Sequence, residues 1–265
     1  MSSTDNPHRR RGTRRIYCRR VNIRRQAIEA AAPPGVSCRE CALQAICLPA
    51  HLPSEEARAL EAAVQRGRQL RPGVTLVRAG EPMGALFVVR SGSAKRYSVT
   101  LGGGEQVHGF VLPGELVGLE GFASGRYTCE VSALEPLGYC RVPIRKLEQL
   151  LERLPGLRRE ILRLLGQALD ESQRLRGELA LSDARGRVAH FLADLSHRLA
   201  RRGLSPTEFH LSMSRADIAR HLGLTLETVS RALGTFKREG WLRVRARDIS
   251  VLRPDALAAL GSGIA

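Results

Sequence analysis

Between Leu70 and Val142 the chain is cut by glycines at 73, 80, 92, 102–104, 114, 118 and 138 into short β-type runs. Among them are "VTLVRAG", "ALFVVRSGSAKRYSV", "EQVHGFVLPGELVG" and "TCEVSALEPLGYCRVP". Short runs punctuated by residues that permit tight turns predict an antiparallel barrel or roll. The texture changes at Pro155, which suits a helix first turn. Beyond it Leu157, Ile161, Leu164, Leu165, Ala168, Leu175 and Leu179 recur at helical spacing. Ile161, Ala168 and Leu175 are seven apart, and Asp170, Glu171, Arg174 and Arg176 leave only a narrow apolar stripe. That pattern predicts a coiled-coil seam, and hence a homodimer, rather than a helix packed on its own domain.

From Ala184 onward the pattern is helical and ends in "WLRVRARDISVL", which reads as strand, basic turn, strand. Helices followed by a small basic hairpin predict a winged helix-turn-helix. The fold class expected is α+β. A basic arm over 1–36 ends in "AAAPPG", and a cysteine segment follows over 37–52. An N-terminal antiparallel β-roll, which the family resemblance given below implies is cyclic-nucleotide-binding-like, spans 53–150, a long dimerisation helix 151–182 and the C-terminal winged helix-turn-helix 183–265.

Charge locates a partner. Residues 1–25 carry nine Arg against one Asp, and residues 184–265 carry fourteen Lys and Arg against seven Asp and Glu. The middle is near neutral, within a formal net charge of +16. Two basic ends on a neutral body point to a polyanion, most simply double-stranded DNA. No apolar run approaches the roughly 18 residues of a membrane span, and no apolar block follows the N-terminal basic run as in a secretory signal. The expectation is a cytoplasmic protein with no membrane partner.

The segment "LSMSRADIARHLGLTLETVSRALGTFKREGWL" specifies how DNA would be met. Ser214 can cap a helix with Asp217 three residues on, a variant of the capping box. Ile218 and Leu222 supply its buried side, and Gly223 permits the turn. Thr225 caps a second helix that runs to about Glu239 and stops at Gly240. On it Val229, Leu233 and Phe236 share one face, while Glu227, Ser230, Arg231 and Gly234 share the other. That outward face begins in the first turn, where a recognition helix meets base edges. Arg can grip guanine O6 and N7, Glu can accept from cytosine N4, and Ser can bond either way, so Arg231 and Glu227 can read the two halves of one G·C pair.

Three of the six cysteines lie within ten residues, Cys38, Cys41 and Cys47, spaced C-x2-C-x5-C. In a reducing compartment clustered thiols point to metal or redox chemistry rather than to disulfides. Four thiolates complete a tetrahedral zinc site or an iron–sulfur cluster. The fourth must come from Cys18, Cys129 or Cys140, and spacing does not choose among them.

From Val36 to Leu260 the chain resembles the FNR (fumarate and nitrate reduction regulator) family, an oxygen-sensing branch of the cyclic-AMP receptor protein superfamily. The C-x2-C-x5-C segment before the roll matches the family's three N-terminal ligands. "GYCRVPIRKLEQL", where the last strand feeds the long helix, matches the position of its fourth, which makes Cys140 the metal ligand beside Cys38, Cys41 and Cys47. "LTLETVSRALGTFKREG" is similar to its recognition helix, with Glu227, Ser230 and Arg231 in the base-reading places. The resemblance implies a [4Fe-4S] cluster held when oxygen is scarce. It also implies a homodimer on an inverted repeat of TTGAT half-sites, and activation or blocking of RNA polymerase to control anaerobic gene expression. Ala42, Leu43, Ile46 and Leu48 would give such a cluster an apolar cover. The chain departs from the family in its longer Arg-rich arm, in the extra Cys129, expected to be structural, and in Ser172. Family members can carry an acidic residue at that last place, so the dependence of dimerisation on the cluster is open.

Other readings fit less well. A cyclic-nucleotide site needs a Gly-Glu-Leu turn and a later Arg-Ser/Thr-Ala. The chain has "PGELVGLEG", but "SGRYTC" puts Arg126 about one position out of register, with Tyr127 crowding the pocket. A structural zinc site in the same DNA-binding protein would stabilise without sensing. His108, His190 and His221 sit in no haem motif. No Walker loop, nucleophile elbow or HExxH is present, and the glycines at 102–104 lack the Lys and helix of a phosphate loop, so no enzyme is expected.

Overall fold

The computed structural model describes residues 37–181 and 183–261, with the backbone alone described over 174–181. The basic arm and Cys18 therefore lie outside the described residues. The cysteine segment is two single 3-10 turns, Cys38–Glu40 and Leu48–His51, the first capped by the Ser37 hydroxyl accepting from the Arg39 amide at 3.0 Å. A helix that the sequence reading had not picked out follows, α1 (Ser54–Ala63), with Glu55 and Glu56 in its first turn, where carboxylates suit the helix dipole.

The roll comprises β1 (Gln65–Arg66), β2 (Thr75–Val77), β3 (Ala85–Ser91), β4 (Ala94–Val99), β5 (Glu105–Val111), β6 (Leu116–Val117), β7 (Glu130–Ala133) and β8 (Gly138–Pro143). They form two antiparallel four-stranded sheets, β1-β8-β3-β6 and β2-β7-β4-β5. Each quoted β-type run contains at least one of these strands. Leu86, Val89, Val117, Val131 and Leu137 fill the space between the sheets and are fully buried. Gly67 lies flat against the Tyr139 ring, and a Cβ there would stand 2.0 Å from ring carbons.

Two helices, not one, leave the roll. β8 feeds α2 (Ile144–Arg153), and the chain turns at Leu154 before α3 (Pro155–Leu181). The long helix thus starts at Pro155 rather than 151, because the residue before a proline is pushed out of the helical region; Leu154 has ψ 95°. The N-terminus of α3 is closed by α1: Glu56 accepts from the amides of Gly156 and Leu157 at 3.1 and 2.7 Å.

The predicted seam is corrected. Ile161 is 4 % exposed and belongs to the roll core. The apolar residues of α3 that face outward are Leu162 and Leu169, 61 % and 57 % exposed and also seven apart. Roll contacts thus take Ile161 out of the predicted seam, while Ala168, its next member, is exposed. Leu175 and Leu179 fall where side chains are not described.

The C-terminal part holds α4 (Ala184–Ala200), β9 (Glu208–His210), α5 (Arg215–Leu222), α6 (Leu226–Arg238), β10 (Leu242–Arg245), β11 (Asp248–Val251) and α7 (Pro254–Gly261). The wing is a three-stranded sheet, β10-β11-β9, one strand more than the hairpin expected. Its core is continuous with part of the roll: Tyr97, Val107, Phe110 and Leu112 pack into the same cluster as Phe191, Leu192, Ile218 and Leu222.

Among the described residues no helix is long and apolar enough to cross a membrane.

Candidate DNA interface and cysteine site

The helix-turn-helix is built as its sequence dictates. Ser214 and Asp217 form a reciprocal capping box, the Ser214 hydroxyl accepting from the Asp217 amide at 3.0 Å and the Asp217 carboxylate from the Ser214 amide at 3.1 Å. Gly223 ends α5 at φ +63°, a left-handed conformation costly for other residues. Thr225 caps α6 through the Thr228 amide at 3.1 Å. Val229, Leu233 and Phe236 are buried, which fixes the roll of α6 and turns Glu227 and Arg231 outward. Arg185 locks the far end of α6, donating to both Glu239 oxygens at 3.0 and 2.9 Å beside the stacked Phe236–Trp241 pair.

On the outward face Arg231 donates to Glu227 at 2.9 Å, and both side chains are largely exposed. Ser230 is half-buried beside them and accepts from Arg215 at 3.4 Å. Arg215 was not singled out from sequence, although its place just after the Ser214 cap points it toward this face. The wing loop turns at Ala246, which adopts φ +52°, and carries Arg243, Arg245 and Arg247 around it. Donors, an acceptor and flanking cations on one solvent-facing helix and hairpin are what a major groove and its phosphates require.

The cysteine site joins two distant parts of the chain. Cys140 lies in mid-β8, paired with Arg66 on β1 and Val88 on β3. The Cys38 amide donates to Glu61 of α1 at 2.8 Å, which lays the segment over the roll. Burial pushes the Cys38 thiol up to about 11 and the Cys47 thiol up to about 12; Cys41 and Cys140 add to both, and Cys38 adds to the shift at Cys47. Cys140 is raised too, first by burial, against Arg90 and Arg66, with Cys41 adding to it. Sulfurs that raise one another's pKa in this way lie within electrostatic reach.

They are not drawn together to ligating distance, and among the described residues no three His, Cys, Asp or Glu side chains form a metal-holding set. Cys129 stands apart, 7 % exposed in the roll core, its Sγ 3.6 Å from Glu120 and its pKa pushed to about 12 by burial and then by Glu120. Four partly exposed sulfurs from two chain segments are a donor set that fits a four-thiolate metal group.

The turn that would receive a nucleotide is differently employed. Arg126 donates to the Gly80 carbonyl at 2.7 Å, and the buried Tyr127 hydroxyl donates to the Ala85 carbonyl at 2.7 Å. Glu115 is held by Arg198 of α4 and by Arg202 in the turn just after it.

Comparison with known proteins agrees with this geometry. Residues 186–260 match the Crp-like helix-turn-helix domain and residues 67–154 the cyclic nucleotide-binding domain. The chain is 40% identical over 238 residues to transcriptional activator protein anr of Pseudomonas aeruginosa, covering 90% of this chain and 98% of that protein. The chain belongs to the FNR family. It is 38% identical to the fumarate and nitrate reduction regulatory protein of Escherichia coli, over 85% of this chain and 90% of that one. The structure of FixK2 from Bradyrhizobium japonicum superposes with a TM-score of 0.69 at 28% identity, covering 74% of this chain and 96% of that one. Like these FNR-family proteins, the chain is a DNA-binding transcription regulator and not an enzyme.

Proposed function

We propose that this regulator senses oxygen through a [4Fe-4S] cluster held by Cys38, Cys41, Cys47 and Cys140. The observation that supports the reading is that the segment bearing Cys38, Cys41 and Cys47 is laid against the roll beside the strands that carry Cys140: Ile46 meets Gly114, whose amide donates to Val89, next to Val88, the strand partner of Cys140, while Cys129 is buried in the roll core. A bound cluster supplies oxygen reactivity, since oxygen converts it and thereby lowers DNA affinity. The chain's own residues do the rest. Leu48 anchors the segment in the roll core, and Ile46 covers it from the side of the Gly114 turn. His51, just past Cys47, faces Glu160 of α3 at 3.5 Å, so the segment also touches the helix with the exposed Leu162 and Leu169 face.

Two copies joined along that face would form a homodimer. Their α6 helices would enter successive major grooves about 34 Å apart, reading an inverted repeat of TTGAT-type half-sites with Glu227, Ser230 and Arg231. Bound there, in the reducing cytoplasm that keeps the thiols available, the dimer would recruit or block RNA polymerase and so switch anaerobic or microaerobic genes.

The test is a pair of substitutions read by iron content after anaerobic purification. Cys140→Ser is expected to lose the iron and Cys129→Ser to keep it; the reverse pattern overturns the ligand assignment. Zinc in place of iron would leave a DNA-binding protein without this sensor.

A further inference from the structure

The loop between β5 and β6 is gripped from one side by the DNA-binding part of the chain and covered from the other by the cysteine segment. Arg198 of α4 donates to the Phe110 carbonyl at 2.6 Å and to both Glu115 oxygens at 3.1 and 2.7 Å. In the turn just past the end of α4, Arg202 donates to the Pro113 carbonyl and to Glu115 Oε1, each at 2.6 Å. Arg198 and Arg202 are only 15 % and 7 % exposed. Glu115 keeps 25 % of its side chain exposed, so the two guanidinium groups are the more shielded members, and losing the carboxylate would leave both largely buried without the partner they share.

Gly114, inside the same turn, has φ +89°, and the side chain of Ile46 lies where its Cβ would be, 2.9 Å away. Ile46 immediately precedes Cys47. The Gly114 amide donates to the Val89 carbonyl at 2.8 Å, and the preceding residue, Val88, pairs with Cys140. The turn is therefore one residue removed from a cysteine on each of two segments and is directly bonded to α4.

We propose that the Pro113–Glu115 turn is a relay within one protomer, carrying the state of the cysteine segment through Ile46 and Gly114 to the Glu115 clamp on α4. It sets whether the DNA-binding domain is docked on the roll, independently of the dimer helix. The nature of the signal rests on the oxygen-sensing reading above; the relay itself rests on these contacts. A second exit from the same segment runs through His51 and Glu160 to α3, so the test must separate the two.

Hydrogen exchange of the amides in 110–115 and 198–203 is measured on the whole chain, iron-loaded without oxygen and again after air, with dimer content followed by sedimentation. The relay predicts exchange in both segments roughly tenfold faster or more after air, as expected when a local docking contact opens. Glu115→Gln should show the fast exchange in both states, and so should Ile46→Ala, compared with the parent at matched iron and dimer content because Ile46 also covers the cysteine segment. Arg202→Lys, which keeps the charge and loses the planar fork, takes the place of Glu115→Gln if that variant does not fold. Exchange that follows dimer content alone, or that is parent-like in Ile46→Ala, overturns the relay. Should the chain hold no iron, the sensor reading falls and Ile46→Ala alone decides: faster exchange at 198–203 sustains the relay, and parent-like exchange sinks it.

Discussion

Replacing Arg231 by Ala separates base reading from folding, because the structure assigns the side chain almost no structural work. Among the described residues it meets Glu227, 2.9 Å away one turn earlier, and the two side chains are 68 % and 82 % exposed. An exposed i,i+4 pair contributes at most about 0.5 kcal/mol, and Val229, Leu233 and Phe236 hold the helix from its other face. The melting temperature of Arg231→Ala should therefore stay close to the parent's. On DNA the same guanidinium can make a bidentate contact to one guanine, worth about 1–3 kcal/mol against the wrong base. A two-fold site is read twice, so a dimer on a full inverted repeat loses about 2–6 kcal/mol. The assay is fluorescence anisotropy on the repeat and on a scrambled duplex across a salt series. Specific affinity should fall steeply, scrambled-site affinity little, and the slope of log K against log salt should hold, since a base contact releases no counterion. Equal losses on both duplexes, or a slope reduced by about one, would falsify the base-reading role.

Two further perturbations test the packing behind the site. His221 lies edge-on to Phe110 and Phe191 at 5.4 and 6.0 Å, and burial holds its pKa below the ordinary 6.5. A depressed folded-state pKa means that its contribution to stability is complete above about pH 6.5 and is lost as pH falls through the folded value. His221→Gln should therefore flatten the fall of melting temperature from pH 6.5 toward 5, and parallel curves for parent and variant would contradict this. Gly67→Ala should destabilise the roll by about 1–3 kcal/mol, since the Tyr139 ring must move to admit the methyl group; an unchanged thermal transition would refute the packing.

The sequence revealed most where local chemistry decides structure. Ser214, Gly223, Thr225 and Gly240 each stand at the cap or turn expected of them, because a side-chain oxygen at an N-cap and a glycine at positive φ act on their immediate neighbours. The helical run of α3 was legible, but not which side of its first turns the roll would cover. Ile161 and Leu162 are chemically alike, and only the placement of the roll decides which is covered. α1 was missed because its partners are remote: Glu61 meets Cys38, and Glu56 meets the start of α3 a hundred residues on. The Glu115 clamp was hidden for the same reason. Residues around Gly114 read as a Gly-Glu-Leu turn of the roll, and nothing local announces that Arg198 and Arg202 close on it. For the fourth sulfur, spacing left the choice open and family resemblance pointed to Cys140; the fold adds that Cys129 is buried in the roll core.

The most direct test of the oxygen-sensing account is an optical, iron and sulfide assay on protein purified without oxygen, followed by admission of air with DNA affinity read in parallel. The account predicts a brown protein with roughly four iron and four sulfide per subunit, bleaching in air as affinity for the inverted repeat falls. A colourless protein with one zinc per subunit and DNA affinity indifferent to air would contradict it.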